Sequence, residues 1–222
     1  MKEFEIKTFE ELHRIIEERY LDEPVTIYRG VTDVKRHKLT PCIGRDKTKY
    51  NLNDEEDLLD LFRRHSKPFL QDYMPENDWE WLALGQHHGL PTRFLDWTYN
   101  PLVALFFAIE KEINVDGALY VYNAEKILDL DDEDAPHPFG IDKVEIYQPD
   151  HFTSRIPAQS ALFTAHPNPI NEFSNRSLER IAIPARLRGD FKKILDTYGV
   201  HRGTLFPDLD GQAQYLKWFK GF

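Results

Sequence analysis

The chain is poor in the features that most readily assign a class. It holds one cysteine, Cys42, among 222 residues. No disulfide framework can form within it, and a reducing compartment such as the cytoplasm is expected. No uninterrupted apolar run reaches transmembrane length. The opening MKEFEIKTFE lacks the apolar core of a secretion signal, so no membrane partner is expected. Positive charge is also short: 28 Lys and Arg face 38 Asp and Glu, for a net charge of −10. Such an overall field does not draw nucleic acid, although it leaves room for a local basic patch. The G-x-G-x-x-G turn, the Walker A loop and the G-x-S-x-G nucleophile elbow are all missing. So are internal repeats and low-complexity tracts. Cys42 has no visible histidine partner, and nothing in the spacing of the histidines suggests a metal site.

What is present is enough for a sizeable core. Hydrophobic residues make up 41% and aromatic residues 13%, which argues against disorder. Length and composition suit one compact domain over residues 1–222. Thr8-x-x-Glu11 is a capping box opening a helix to Tyr20. Val25–Tyr28 reads as a strand ended by Arg29-Gly30, and residues 31–52 read as a polar crossing loop. Asn53-x-x-Glu56 and Asn77-x-x-Glu80 are two more boxes. The first opens a helix to His65 with Leu58, Leu59 and Phe62 inward; a loop over 66–76 follows, and the second box opens a helix around WEWLAL. A short extended piece reaches Leu95. Asn100-Pro101 then begins an apolar helix that should be buried. After Gly117 short strands are expected at 118–122, 143–147 and 179–183. A helix follows from Asp190 to Tyr198, with Gly199 as its cap, and a terminal helix after 211. Helices concentrated in the first half and strands in the second point to an α+β fold with a mixed or antiparallel sheet.

The candidate functional residues cluster in Trp79–Ala108. Gln86, His87, His88, Thr92, Arg93, Asp96 and Thr98 stand there beside the apolar helix. Adjacent histidines on a helix point about 100° apart, so His87 and His88 are poor joint metal ligands and at least one should cap or pack. Arg93 and Asp96 are a possible ion pair. Thr98 precedes a helix N-terminus, where exposed amides favour an anion such as a diphosphate. Arg29 offers a rigid fork for phosphate or carboxylate, with a structural salt bridge to Asp96 as the alternative, and Gly30 would allow close approach of a ligand. Further along, Arg155 and Gln159 bracket a proline; an amide does not titrate but can orient a ribose. His201 and Arg202 are weaker candidates for the same site. The acidic run Asp129–Asp134 reads as a solvated loop.

These residues resemble the FRG domain family, over a core of about residues 20–210. Tyr28-Arg29-Gly30 matches its aromatic-Arg-Gly element. Gln86, His87, Gly89–Arg93, Leu95–Thr98 and Asn100-Pro101 match a second, longer tract, and Arg155…Gln159…Phe163-Thr164 a third. The motif order is also similar to that of ADP-ribosyltransferases. That resemblance implies an ADP-ribosyltransferase-like fold with NAD as cofactor. It implies transfer of ADP-ribose to a macromolecular acceptor, protein or nucleic acid, while the FRG resemblance implies a bacterial or phage defence or toxin setting. On the transferase resemblance, Arg29 holds phosphate or ribose, Thr98 or Thr92 stands at the middle motif, and Gln159 occupies the place of a late glutamate. Asp96 is then one candidate to supply the missing charge, with Glu172 and Glu179 as further alternatives. Arg29, Asp96 and Gln159 form the implied catalytic set; Tyr28, Gly30, Gln86, His87, Thr92, Arg93, Thr98 and Arg155 are the implied cofactor contacts. A nucleotide-sensing or protein-interaction module without turnover is the alternative.

Overall fold

In the computed structural model, which describes residues 1–70, 73–111 and 114–222, a seven-stranded mixed sheet carries helices on one face. The strands are β1 (Lys2–Glu5), β2 (Thr26–Val31), β3 (Phe94–Thr98), β4 (Gly117–Asn123), β5 (Glu145–Tyr147), β6 (Ala161–Ala165) and β7 (Leu178–Ile183). They lie in the order β1-β7-β4-β2-β3-β6-β5. β1 runs parallel to β7, and the other pairs are antiparallel. The helices are α1 (Phe9–Tyr20), α2 (Leu52–Ser66), α3 (Asp78–His87), α4 (Pro101–Ile109), α5 (Arg155–Gln159), α6 (Arg188–Thr197), α7 (Arg202–Leu205) and α8 (Leu209–Phe219). This is an α+β domain with a mixed sheet. Helices do not stop at mid-chain, as four of those named follow residue 150. No described helix is long and apolar enough to cross a membrane.

The cap chemistry explains most helix starts. Thr8 Oγ1 accepts from Glu11 N, and Glu11 in return accepts from Lys7 N rather than from the cap residue itself. Asn77 and Glu80 bond reciprocally ahead of α3. Asn100 Oδ1 accepts from Leu102 N, with Pro101 at the first turn of α4. The second helix departs from the expected box. It starts two residues earlier, because Asn51 Oδ1 takes the Asn53 amide. The expected loop over 66–76 includes residues 71 and 72, which lie outside the described residues. Gly199, at φ 74°, supplies the left-handed residue after α6, where a side chain would be strained. β1 and β6 were not expected as strands: KEFE offers a single apolar residue, and ALFTA is almost continuously apolar, without the alternation that marks a half-exposed strand.

Cross-strand partners share a face of the sheet, so the pairings sort the core. Tyr28, Leu119, Val121, Ile181 and Ile183 pack with α1, α4 and α6. Phe94, Phe163 and Ala165 pack with α2 and α3. Since Tyr28 pairs with Thr98, both helix groups sit on the same face, over different halves. The opposite face, with Ile27, Tyr120 and Trp97, is closed by Leu39 and Phe173 from the loops. Between the two helix groups lies the seam of β2 and β3, paired among the described residues only at Tyr28↔Thr98. β2 pairs with β4 along its whole length instead.

Candidate functional site

The open seam is the floor of a cleft of about 740 Å³, within the range of small-molecule sites. Arg29 spans the gap. Its Nη1 donates to the Asp96 carbonyl at 2.5 Å and lies 3.3 Å from Asp96 Oδ2. Its Nε is buried with no partner. The salt bridge to Asp96 is therefore present, and it lies within the cleft wall.

Asp96 is held from the other side too. Gln86 Nε2 donates to Asp96 Oδ1 at 3.0 Å, while Gln86 Oε1 accepts from Thr92 Oγ1 at 2.7 Å. Thr92 thus acts at one remove: it is fully buried and orients Gln86. Thr98 Oγ1 donates to the Gln159 carbonyl at 2.6 Å and accepts from Asn100 N at 3.0 Å. Its hydroxyl is used in tying β3 to the turn before β6, and the α4 amide nearest it is capped by Asn100. Gln159 faces the cleft, but its Nε2 donates to the Leu205 carbonyl at 2.9 Å. Arg155 pairs with Asp208 and lies over the Phe206 ring, 5.3 Å from its centroid.

Arg29, Gly30, Gln86, His87, Asp96, Thr98, Arg155 and Gln159 are thus brought to one cavity from β2, α3, β3 and α5. Others are not. Arg93 does not pair with Asp96: it is buried against Glu55 on α2, with Nε and Nη2 at 3.0 and 2.7 Å from the two carboxylate oxygens. Thr92 lies behind the wall. Tyr28 faces α4 and meets Tyr20 edge-on at 6.3 Å; burial pushes its phenol up to about 12. Gly30 lines the cleft with its backbone, but the space a side chain would take is filled by the α4 backbone at Ala104 and Ala108. Its need for glycine comes from packing, not from a ligand. His201 and Arg202 lie elsewhere, His201 stacked on Tyr215 at 3.9 Å and Arg202 paired with Glu110.

His87 lines the cleft with its ring edge-on to Phe152. Burial first, then the charges of His88 and Arg155, lowers its pKa to about 4. It is a neutral imidazole at physiological pH. Behind the wall, His166 is lowered to about 3, by burial first and then by Arg29 and Arg93. Thr164 Oγ1 accepts from Trp97 Nε1 at 2.9 Å and lies 2.9 Å from His166 Nε2. Both folded-state values lie below the ordinary 6.5, so the unfolded chain binds more protons as pH falls. The stability they contribute is complete above pH 6.5 and is lost on acidification towards pH 4. For buried His166 the loss between pH 6.5 and 5 is on the order of 1–2 kcal/mol. Urea unfolding of wild type and His166→Asn across that window is expected to give a stability difference that shrinks as pH falls. A constant difference would rule the effect out.

The cleft also has a component absent from the sequence candidates. Arg36, Lys38, Arg45 and Lys47, from the crossing loop after β2, line its mouth and are exposed. The loop had read simply as polar; a charge count over 35–49 would have found them, with six cations and one anion in that window. Arg188 holds the start of this loop, donating to the carbonyls of Thr32, Lys111 and Val115. Glu172 and Glu179 do not line the cleft, and Glu179 is bonded to Arg19 and Tyr20. Asp129–Asp134 is exposed turn structure, and no grouping of potential metal ligands occurs among the described residues.

Residues 25–117 match the family model of the FRG domain. The match covers Arg29, the crossing loop, Gln86 and Asp96, but not the Arg155–Gln159 wall or the full 20–210 span. No curated protein and no solved structure matches the chain.

Proposed function

We propose that the cleft binds a pyrophosphate-bearing nucleotide, with NAD as the cofactor, and that the protein transfers ADP-ribose from it to a macromolecular acceptor. The observation that carries this reading is charge. In a chain of net −10, Arg29 and Arg155 face one cavity whose described lining includes a single carboxylate, Asp96. The residues fit the group: Arg29 has a buried Nε without a partner, and half-buried Phe107 lines the cleft with an aromatic ring for a base or nicotinamide. Bound NAD supplies a glycosidic C1′–N bond, which breaks to release nicotinamide with its electron pair as the acceptor's nucleophile bonds C1′ and gives up its proton. Arg29 is the phosphate ligand. Asp96, 59% exposed at its side chain and oriented by Gln86, is the group that stabilises positive charge and takes a ribose hydroxyl. Gln159 is a positioning residue, since its amide nitrogen is committed to Leu205. A defence or toxin role would follow from such an activity.

One observation favours a second reading, nucleotide sensing without turnover: no glutamate lines the cleft among the described residues. Calorimetry and label transfer from radioactive NAD separate the two. Arg29→Ala is expected to weaken NAD binding by about 10–150-fold, the range for a hydrogen bond to a charged group. Asp96→Asn is expected to bind NAD but to lose transfer. Wild-type binding with no transfer to protein or nucleic acid would favour sensing. No binding of NAD at millimolar concentration would overturn both readings.

A further inference from the structure

We infer that the exposed rim over residues 35–49 docks single-stranded nucleic acid and presents an unpaired nucleotide to the cleft. Only the identification of that strand as the acceptor rests on the transferase reading; docking stands by itself.

The window holds Lys35, Arg36, Lys38, Arg45, Lys47 and Lys49 against Asp46 alone. It is thus net +5 in a chain of net −10. Two of the six meet a carboxylate, Arg36 with Asp33 at 3.7 Å and Lys49 with Asp46 at 3.2 Å, and both cations are more than four-fifths exposed. Among the described residues no carboxylate pairs with Lys35, Lys38, Arg45 or Lys47. Such exposed pairs contribute little, so the positive charge is unspent.

Arg29 and Arg155 are each bonded to a carboxylate, Asp96 and Asp208. The four rim cations without one outnumber the two charges of a diphosphate, and such a row suits a chain of phosphates. The acidic remainder of the surface repels that chain, which confines it to the rim and orients it toward the cavity. A duplex keeps its bases stacked inside; only an unpaired or flipped base can enter a cavity. A lipid surface fits less well, because the window is polar and lacks an amphipathic stripe.

Fluorescence anisotropy with labelled 20-nucleotide DNA and RNA strands and their duplexes tests this without NAD. Four lining cations predict a slope of about −3 in log affinity against log salt for single strands, so that binding falls on the order of 50-fold between 50 and 200 mM salt. Lys38→Glu/Arg45→Glu/Lys47→Glu is expected to lose binding by at least about 100-fold with an unchanged thermal midpoint. Arg29→Ala is expected to keep oligonucleotide binding. Absence of binding at 50 mM salt, equal binding by the triple variant, preference for duplex, or tighter binding to polyglutamate or anionic vesicles would overturn the inference. Loss of NAD binding with oligonucleotide binding intact would instead strike the cofactor reading alone.

Discussion

Glu55→Ala is expected to cost about 3–5 kcal/mol of folding stability, the penalty for leaving one member of a buried ion pair without its partner. The side chains of Arg93 and Glu55 are each 1% exposed. The guanidinium makes two bonds to the carboxylate and a third to the Pro138 carbonyl at 3.0 Å. It also lies 4.6 Å from the centroid of Phe139. Tyr50 donates to Glu55 Oε2 at 3.1 Å, and burial, followed by the Glu55 charge, pushes its phenol up to about 12. Removing the carboxylate leaves Arg93 charged, dry and bonded on one side only. In a chain of this length that loss lowers the thermal midpoint by roughly 10 °C. Glu55→Leu/Arg93→Met is expected to recover most of it, because apolar replacement of both partners removes the desolvation cost as well. If that double variant folds and still binds nucleotide, Arg93 is excluded as a cofactor ligand. A loss below 1 kcal/mol in Glu55→Ala would show that the pair does not hold α2 against the segment leading into β3.

Gly30→Ala carries the second large effect, about 3 kcal/mol or more. A methyl group there meets the Ala104 carbonyl oxygen and comes within 2.6 Å of the Ala108 amide nitrogen. Both belong to the backbone of α4, so no side-chain rotation relieves the contact; the helix must lift from β2. α4 contributes Val103, Leu105, Phe106 and Ile109 to the core, and lifting it opens that core. Urea unfolding decides between two roles for this glycine. Packing predicts lost stability in the absence of any ligand. Ligand approach predicts unchanged stability with weakened NAD binding, and that outcome would show the close contact with α4 to be wrong.

Much of the fold was legible. The Thr8 cap, the reciprocal Asn77–Glu80 cap and the Asn100-Pro101 start depend on neighbours a few residues apart, so local chemistry located α1, α3 and α4. The strands at 118–122 and 179–183 were legible because Tyr120, Val121 and Tyr122 in the first and alternating Ile181 and Ile183 in the second suit a strand. β1 was not, since KEFE becomes a strand only through parallel pairing with Leu178–Ile183, far along the chain. The site was legible as a set of residue types rather than as contacts. Asp96 lies three residues from Arg93, and nearness in sequence suggested a pair. Arg93 is instead buried against Glu55, while β3 leaves Asp96 exposed toward the cleft. Arg29, 67 residues away from Asp96, is its actual partner.

By itself the sequence determined the helices with local caps, the apolar α4, the single cysteine that leaves no intrachain disulfide, and the Arg-Gly and QHHGLPTRFLDWT tracts that match a domain family. These are short-range properties, and a linear chain displays them. The tertiary structure decided which of those residues share a cavity. It separated β2 from β3 beyond one pair, turned Arg93 inward, filled the space at Gly30 with a helix, and set a basic loop at the mouth of a cleft in an acidic protein. Each of those outcomes depends on contacts between residues distant in sequence, whose energies no local pattern encodes.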